Sequence, residues 1–189
     1  MRTYIEDETI ENIDFTAQTL ADREYTNCEF VNCDFTKSNL KNTNLIDCIF
    51  SGCNFSMVVF NNTGLKNVQF KACKLMGINF GVCSDFLFAV NFHDCHLDYS
   101  SFFQKKMKKT LFSGCSLKEA DFEETDLTEA VFSNCDLLAA SFNKTILEKA
   151  DFRTAYNYAF DPEQNKIKKA RFSHEGVAGL LAKYQIDIE

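Results

Sequence analysis

The chain has 189 residues, 46% of them hydrophobic, with a single proline, which is enough for one domain with a filled core. Its 27 acids against 20 bases give a formal charge of −7, so direct binding to nucleic acid is not expected. No apolar run approaches the roughly 18 residues of a membrane span, and the charged N-terminus lacks an apolar signal core. A cytoplasmic chain is expected.

From Phe15 to Phe80 every fifth residue is large and apolar, 14 positions without exception. The frame then slips by two residues and resumes at Leu87, and another 14 positions carry it to Phe152. An α-helix turns about 100° per residue, so positions five apart cannot form one stripe. A flat strand fails too, because an odd spacing alternates faces. The chain must therefore turn a corner in every pentad, sending one large residue per side to a common axis.

Two positions before most large residues stands a small one, such as Thr43, Val68, Ala120, Thr125 or Ala140. Eight of the nine cysteines occupy this slot, all but Cys83. Six recur as Cys33, Cys53, Cys73, Cys95, Cys115 and Cys135, at spacings of 20, 20, 22, 20 and 20, and the 22 coincides with the slip. The turn is therefore four pentads, and the slip is a bulge that the stack absorbs. Neighbouring rungs about 4.8 Å apart exceed the usual Cβ separation of a disulfide, so the cysteines read as small buried hydrophobes. His93, Asp94, Cys95 and His96 form the one metal-like cluster. The frame points Cys95 inward and both histidines outward, so no metal and no cofactor are expected.

The repeats Cys28-Glu29-Phe30-Val31-Asn32, Cys33-Asp34-Phe35-Thr36-Lys37, Ala120-Asp121-Phe122-Glu123-Glu124 and Ala150-Asp151-Phe152-Arg153-Thr154 resemble the pentapeptide-repeat proteins. The likeness covers about residues 13 to 155. It implies an all-β fold, a right-handed quadrilateral parallel β-helix, here with a short C-terminal α-helix. Seven turns at about 4.8 Å give a rod roughly 34 Å long. The expected organisation is a β-helix over 1–172, with the slip near 81–87 and a loop at 156–165, then a helix and tail over 173–189.

Charge is uneven along the rod: residues 1–60 carry net −6, 61–109 net +4 and 110–152 net −6. The densest acidic run is Glu119, Asp121, Glu123, Glu124, Asp126 and Glu129. It reads either as a solvated face or as a surface that imitates DNA. In the basic waist, Lys105 falls on the small inward slot, where an unpaired charge is costly. A bulge turning Lys105 outward is therefore expected, with Lys105, Lys106, Lys108 and Lys109 forming an exposed edge or an anion-binding bulge. Phe86 and Phe88 lie outside the frame and read as exposed contact residues.

After Phe152 the pattern breaks at Tyr156, Asn157, Tyr158 and Phe160, but Ile167 and Phe172 return to the frame. Ser173 then reads as the N-cap of a helix carrying Val177, Leu180, Leu181 and Tyr184 at i, i+3, i+4 and i+7. In gyrase-protecting members of the resembled family such a helix joins two rods. That resemblance implies a homodimer through Val177, Leu180, Leu181, Tyr184, Ile186 and Ile188. A Phe-filled interior leaves no substrate cavity, and no nucleophile and base stand in register, so an enzyme is not expected. Two readings remain: a DNA mimic that binds a type II topoisomerase, DNA gyrase, and protects against a drug or toxin, and a rigid protein-binding scaffold of unknown partner.

Overall fold

A computed structural model describes residues 3–187. The chain is a four-sided, right-handed parallel β-helix of about seven turns with one short C-terminal helix. The strands are β1 (Thr3–Glu6), β2 (Thr9–Glu11), β3 (Arg23–Thr26), β4 (Glu29–Val31), β5 (Asn44–Ile46), β6 (Ile49–Ser51), β7 (Gly64–Lys66), β8 (Val68–Lys71), β9 (Val90–His93), β10 (Leu111–Ser113) and β11 (Val131–Ser133). They form two parallel sheets, β1-β3-β5-β7 on one side and β2-β4-β6-β8-β9-β10-β11 on the next. The other two sides are joined by single bridges such as Asp34 to Asn54 and Ser101 to Asp121. Partners stand 20 residues apart, except across the slip, where Phe70 pairs with Phe92.

Corners explain why the repeat is five residues long. The second residue after most large ones has a left-handed φ, such as +52° at Asn27, +51° at Asn32 and +64° at Gly114, which swings the backbone onto the next side. At Gly114 the requirement is double, because a Cβ would also collide with the Asp94 carboxylate of the coil below. The residue before the large one often braces the same corner. Asp14, Asp34, Asp121, Asp126, Asp136 and Asp151 each accept a hydrogen bond from the main-chain N–H two residues on.

The interior is packed aromatic on aromatic. Phe30, Phe50, Phe70, Phe92, Phe112, Phe132, Phe152 and Phe172 form one column with successive centroids 4.7–5.4 Å apart and nearly parallel planes. A second column from Phe60 through Phe80, Phe102, Phe122 and Phe142 meets the first edge to face, as at Phe112 and Phe122, 5.9 Å apart and inclined by 85°. These are the favoured geometries of aromatic pairs. All nine cysteines are free and buried. Cys33, Cys53, Cys73 and Cys95 of the ladder donate Sγ–H to carbonyls of the coil below, as Cys53 does to Phe30 at 3.4 Å, and Cys115 and Cys135 donate to Ser113 and Ser133 of their own coil. Hydrogen bonding to Cys73, helped by burial, raises the pKa of Cys53, and burial pushes Cys48 up to about 11.

The slip departs from expectation in three ways. Ser84 N–H bonds to the Thr63 carbonyl and Ala89 N–H to that of Leu65, so the extra residues lie between them. Cys83 therefore does occupy the small slot, directly above Thr63. Leu87 does not resume the inward frame. It takes a left-handed φ of +56° at the bulge tip and is 65% exposed, while Phe88 folds back to pack against the core. Phe88 is thus not an exposed aromatic, although Phe86 is, with the Lys66 ammonium over its ring at 5.2 Å.

The third departure is Lys105, which turns inward and is 2% exposed. Its Nζ donates to the Cys83 carbonyl at 2.5 Å and to Asp85 Oδ1 at 2.7 Å, and stands 5.1 Å from the centroid of Phe88. The bulge supplies a carbonyl, a carboxylate and a ring face, so the charge that made an inward lysine costly is paired.

Past Phe152 the rod keeps filling itself. Tyr158 and Phe160 point inward and are buried, and Lys166 and Arg171 bridge to Ile146 and Asp151. Asp161 caps the short helical turn Pro162–Gln164 through the Glu163 N–H, and Asn165 Nδ2 reaches the Phe142 carbonyl at 3.0 Å. The final helix is a 3₁₀ turn over Glu175–Val177, α1 (Ala178–Leu181) and a second 3₁₀ turn over Ala182–Tyr184. Ser173 Oγ accepts from Gly176 N–H at 3.0 Å, the capping contact expected of it. Among the described residues no helix is long and apolar enough to cross a membrane.

Candidate functional site

Because the interior is closed by rings, the chemistry available to a partner lies in the side-chain columns on the four sides. The residues of the acidic run stand in these columns, and nearly all are engaged. Asp121 Oδ2 accepts from Ser101 Oγ at 2.9 Å, and Glu123 accepts from Asn143 Nδ2 at 2.9 Å. Glu124 accepts from Gln104 Nε2 at 2.8 Å, with Lys144 Nζ at 3.4 Å. Asp126 faces Lys108 at 3.3 Å, and Glu129 lies between Lys109 at 3.8 Å and Lys149 at 2.8 Å. Glu119 is exposed beside Tyr99, whose phenol pKa its charge raises.

The cause of this compensation is the 20-residue turn. Lys109, Glu129 and Lys149 fall in one corner column, so opposite charges stack at coil spacing. The Gln104 hydrogen bond, helped by Lys144, holds Glu124 below the usual carboxylate range, and Lys149 does the same for Glu129. At Asp126 burial acts upward, but hydrogen bonds from Thr128 and Lys108 leave its pKa lowered. Glu124, Asp126 and Glu129 of the acidic run are therefore offset by lysines of neighbouring coils, whereas Asp121 and Glu123 accept from neutral donors and keep their charge, a partial compensation visible largely as i+20 spacing in the sequence and missed when charge is summed by segment.

The N-terminal coils differ. Asp7, Glu8, Glu29 and Asp47 line a shallow groove of about 280 Å³ and have no ion-pair partner among the described residues. Asp7 and Asp47 accept instead from the neutral amides of Asn27 and Asn67, each at 2.7 Å, which fixes the carboxylates without cancelling their charge.

At the other end, Leu180 is buried against the rod, and Gly176 and Gly179 let the helix approach closely, since a Cβ at either would collide with Tyr158. Leu181 is half-buried, whereas Val177, Tyr184 and Ile186 are exposed. Ile188 lies outside the described residues. Lys183 ties the helix to the preceding loop through Asp161 at 2.8 Å and Glu163 at 2.9 Å. Cys95 is buried, His93 half-buried and His96 exposed, and the described residues contain no group of three ligands that could hold a metal.

A sequence profile described as a pentapeptide repeat region matches residues 23–102, and one described as pentapeptide repeats of eight copies matches 106–137 and 115–153. No curated protein sequence matches the chain. Among solved structures, a trypsin-treated form of QnrB1, described as a plasmid-mediated fluoroquinolone resistance protein, superposes with a TM-score of 0.63 at 16% identity over 100% of both chains. HetL, a pentapeptide repeat protein involved in heterocyst differentiation regulation in the cyanobacterium Nostoc, gives 0.45 at 16% identity over 93% of this chain and 92% of its own. Likeness at this identity concerns the fold, and with the two profiles together spanning most of the sequence, this chain belongs to the pentapeptide-repeat proteins.

Proposed function

We propose that this chain is a non-catalytic scaffold, a stiff rod that holds charged side chains in fixed columns for a protein partner with a basic surface. The observation that carries this reading is the N-terminal groove, where Asp7, Glu8, Glu29 and Asp47 stand without counter-charges among the described residues on a ring-filled and therefore rigid support. A partner that binds DNA presents the complementary field.

DNA gyrase is the partner we propose, with the rod imitating DNA and protecting the enzyme from a drug or toxin. The net charge of −7 and a full-length likeness to a protein described as conferring fluoroquinolone resistance favour that choice. The run from Glu119 to Glu129 forms a second contact face in this proposal, weakened by its lysines. The test is gyrase supercoiling with micromolar protein, with and without a quinolone. Inhibition or protection that fades with added salt supports the proposal, and neither effect removes gyrase as the partner.

The exposed Val177, Tyr184 and Ile186 support a homodimer through the C-terminal helix. Light scattering at micromolar concentration then gives twice the chain mass of 21.6 kDa, and the single-chain value refutes it. Nine free thiols suit a reducing compartment, and we place the protein in the cytoplasm.

A further inference from the structure

One stretch of one side of the rod differs from everything around it. Over three successive coils its nine outward positions, 59, 61, 62, 79, 81, 82, 101, 103 and 104, carry no charge, in a chain that is 25% charged. Val59, Val82 and Phe103 are exposed there by 40%, 40% and 39%. Exposed Met57 and Tyr99 line the adjoining corner. Beyond Val82 the surface drops into an open cleft of about 440 Å³ beside the slip, bordered by Phe103, Gln104, Asp85, Asp121 and the inward Lys105. Gly81 keeps the cleft open, because a Cβ would meet Asn79 Oδ1 at 2.8 Å and the Phe103 carbonyl at 3.3 Å.

The two carboxylates of the cleft are held differently. Asp121 is fully engaged by Ser101, Ser141 and the Glu123 N–H. Asp85 is 82% exposed, and only its Oδ1 is bonded, to the buried Lys105. The cleft thus joins an aromatic wall to a rim of carboxylates, with Glu124 one coil on in the column of Gln104. A side chain with an apolar stem and a cationic head suits it, the stem on Phe103 and Val82 and the head toward Asp85 and Asp121. Size fixes the kind of occupant. Three coils stand about 14 Å tall and a side is about 10 Å wide, so the patch offers about 140 Å², against roughly 800 Å² per partner in a stable protein interface.

We infer that this side is a docking site for a short segment of another protein that pairs an apolar residue with an arginine or lysine. The site is separate from the N-terminal acidic groove and does not depend on the partner proposed for it. The segment lies across the uncharged coils with its apolar side chain against Val59 or Val82 and its basic side chain in the cleft.

The test uses ¹⁵N-labelled full-length protein titrated with acetyl-Phe-Gly-Arg-amide and, as control, acetyl-Phe-Gly-Glu-amide. The expected result is chemical-shift change confined to the neighbourhood of Val82, Phe103 and Gln104, with at least about tenfold weaker binding of the glutamate peptide. Phe103→Ala abolishes it, and Asp85→Asn weakens the arginine peptide alone. Scattered or absent shifts at millimolar peptide, equal binding of the two peptides, or no effect of Phe103→Ala in a folded variant overturns the inference. A Val82→Glu variant that converts a dimer to a monomer also overturns it, since the side would then be an interface between two copies.

Discussion

Lys105 Nζ donates to the main-chain carbonyl of Cys83, one coil away across the slip, at 2.5 Å. In the same slot of other coils Thr43, Thr63, Thr125 and Thr145 each donate a hydroxyl at 2.8 Å to a carbonyl of the coil below. Lys105 replaces one rung of that threonine ladder with a longer donor that spans the gap left by the extra residues and also ties down Asp85. The lysine and the two-residue slip are thus two halves of one feature.

Lys105→Met keeps the volume and lets the exposed Asp85 rehydrate, so the loss of stability is within about 1 kcal/mol. Lys105→Ala leaves a void as well and costs about 2 to 4 kcal/mol. In both variants amide exchange at Phe86, Leu87 and Ala89 rises, because the bulge has lost its tether. Urea denaturation together with hydrogen exchange separates the two effects, and unchanged exchange at the bulge would show that Lys105 does not hold it.

Phe112 lies between Phe92 and Phe132 in the long ring column, with centroids 5.2 and 4.9 Å away. Phe112→Ala is expected to cost about 3 to 5 kcal/mol, because stacked coils on both sides prevent collapse around the void. Phe86→Ala, at an exposed ring, stays within about 0.5 kcal/mol. Equal melting temperatures for the two variants would contradict the inward column.

Acid and alkali destabilise the rod for opposite reasons. Hydrogen bonding and lysine charges hold Glu124 and Glu129 below the usual carboxylate range, and arginine hydrogen bonding does so for Asp151. Their contribution is present above that range and is lost as the pH falls through the lowered values, below about pH 4. Burial raises Cys48 to about 11 and Cys83 to about 12, against the pull of Lys105 on the latter. Those thiols stabilise fully below their unfolded value, about 8.5, and that stability is lost as pH climbs toward 11. A flat melting temperature from pH 5 to 8, falling on both sides, is the expected profile. Cys48→Ala should shallow the alkaline limb by about 3 kcal/mol.

Exposed pairs such as Lys149 to Glu129 contribute little to folding, so Lys149→Ala leaves the melting temperature essentially unchanged. Its effect is electrostatic. Removing Lys144 and Lys149 together exposes Glu124 and Glu129 and strengthens salt-dependent retention on a cation-exchange resin's opposite, an anion exchanger. Unchanged retention would mean that those lysines do not mask the run.

The interior was legible because it repeats: Phe30 to Phe172 and the cysteine ladder follow from spacing and size alone. What escaped was wherever one hydrogen bond decides between two registers. Ser84 bonding to Thr63 places Cys83 in the small slot and sends Leu87 outward, and the resulting pocket makes an inward Lys105 tolerable. Tyr158 and Phe160 fill the core off the five-residue beat, inside a coil whose pairing of Tyr156 with Asp136 and Lys166 with Ile146 keeps the 20-residue register. The masking of Glu129 was readable from Lys109 and Lys149 at 20 residues on either side, once columns and not segments are compared.

We propose that Asp7, Glu8, Glu29 and Asp47 on the N-terminal coils, which have no counter-charge among the described residues, engage a basic protein surface more strongly than the run from Glu119 to Glu129 does. It is tested by binding of purified gyrase to wild type, to the Asp7→Asn, Glu8→Gln, Glu29→Gln, Asp47→Asn variant and to the Glu123→Gln, Glu124→Gln, Asp126→Asn variant, over a range of salt. Wild-type binding is expected to weaken with salt, with at least about tenfold loss in the first variant and a smaller loss in the second. Undiminished binding by the first variant, or no binding by wild type, would contradict it.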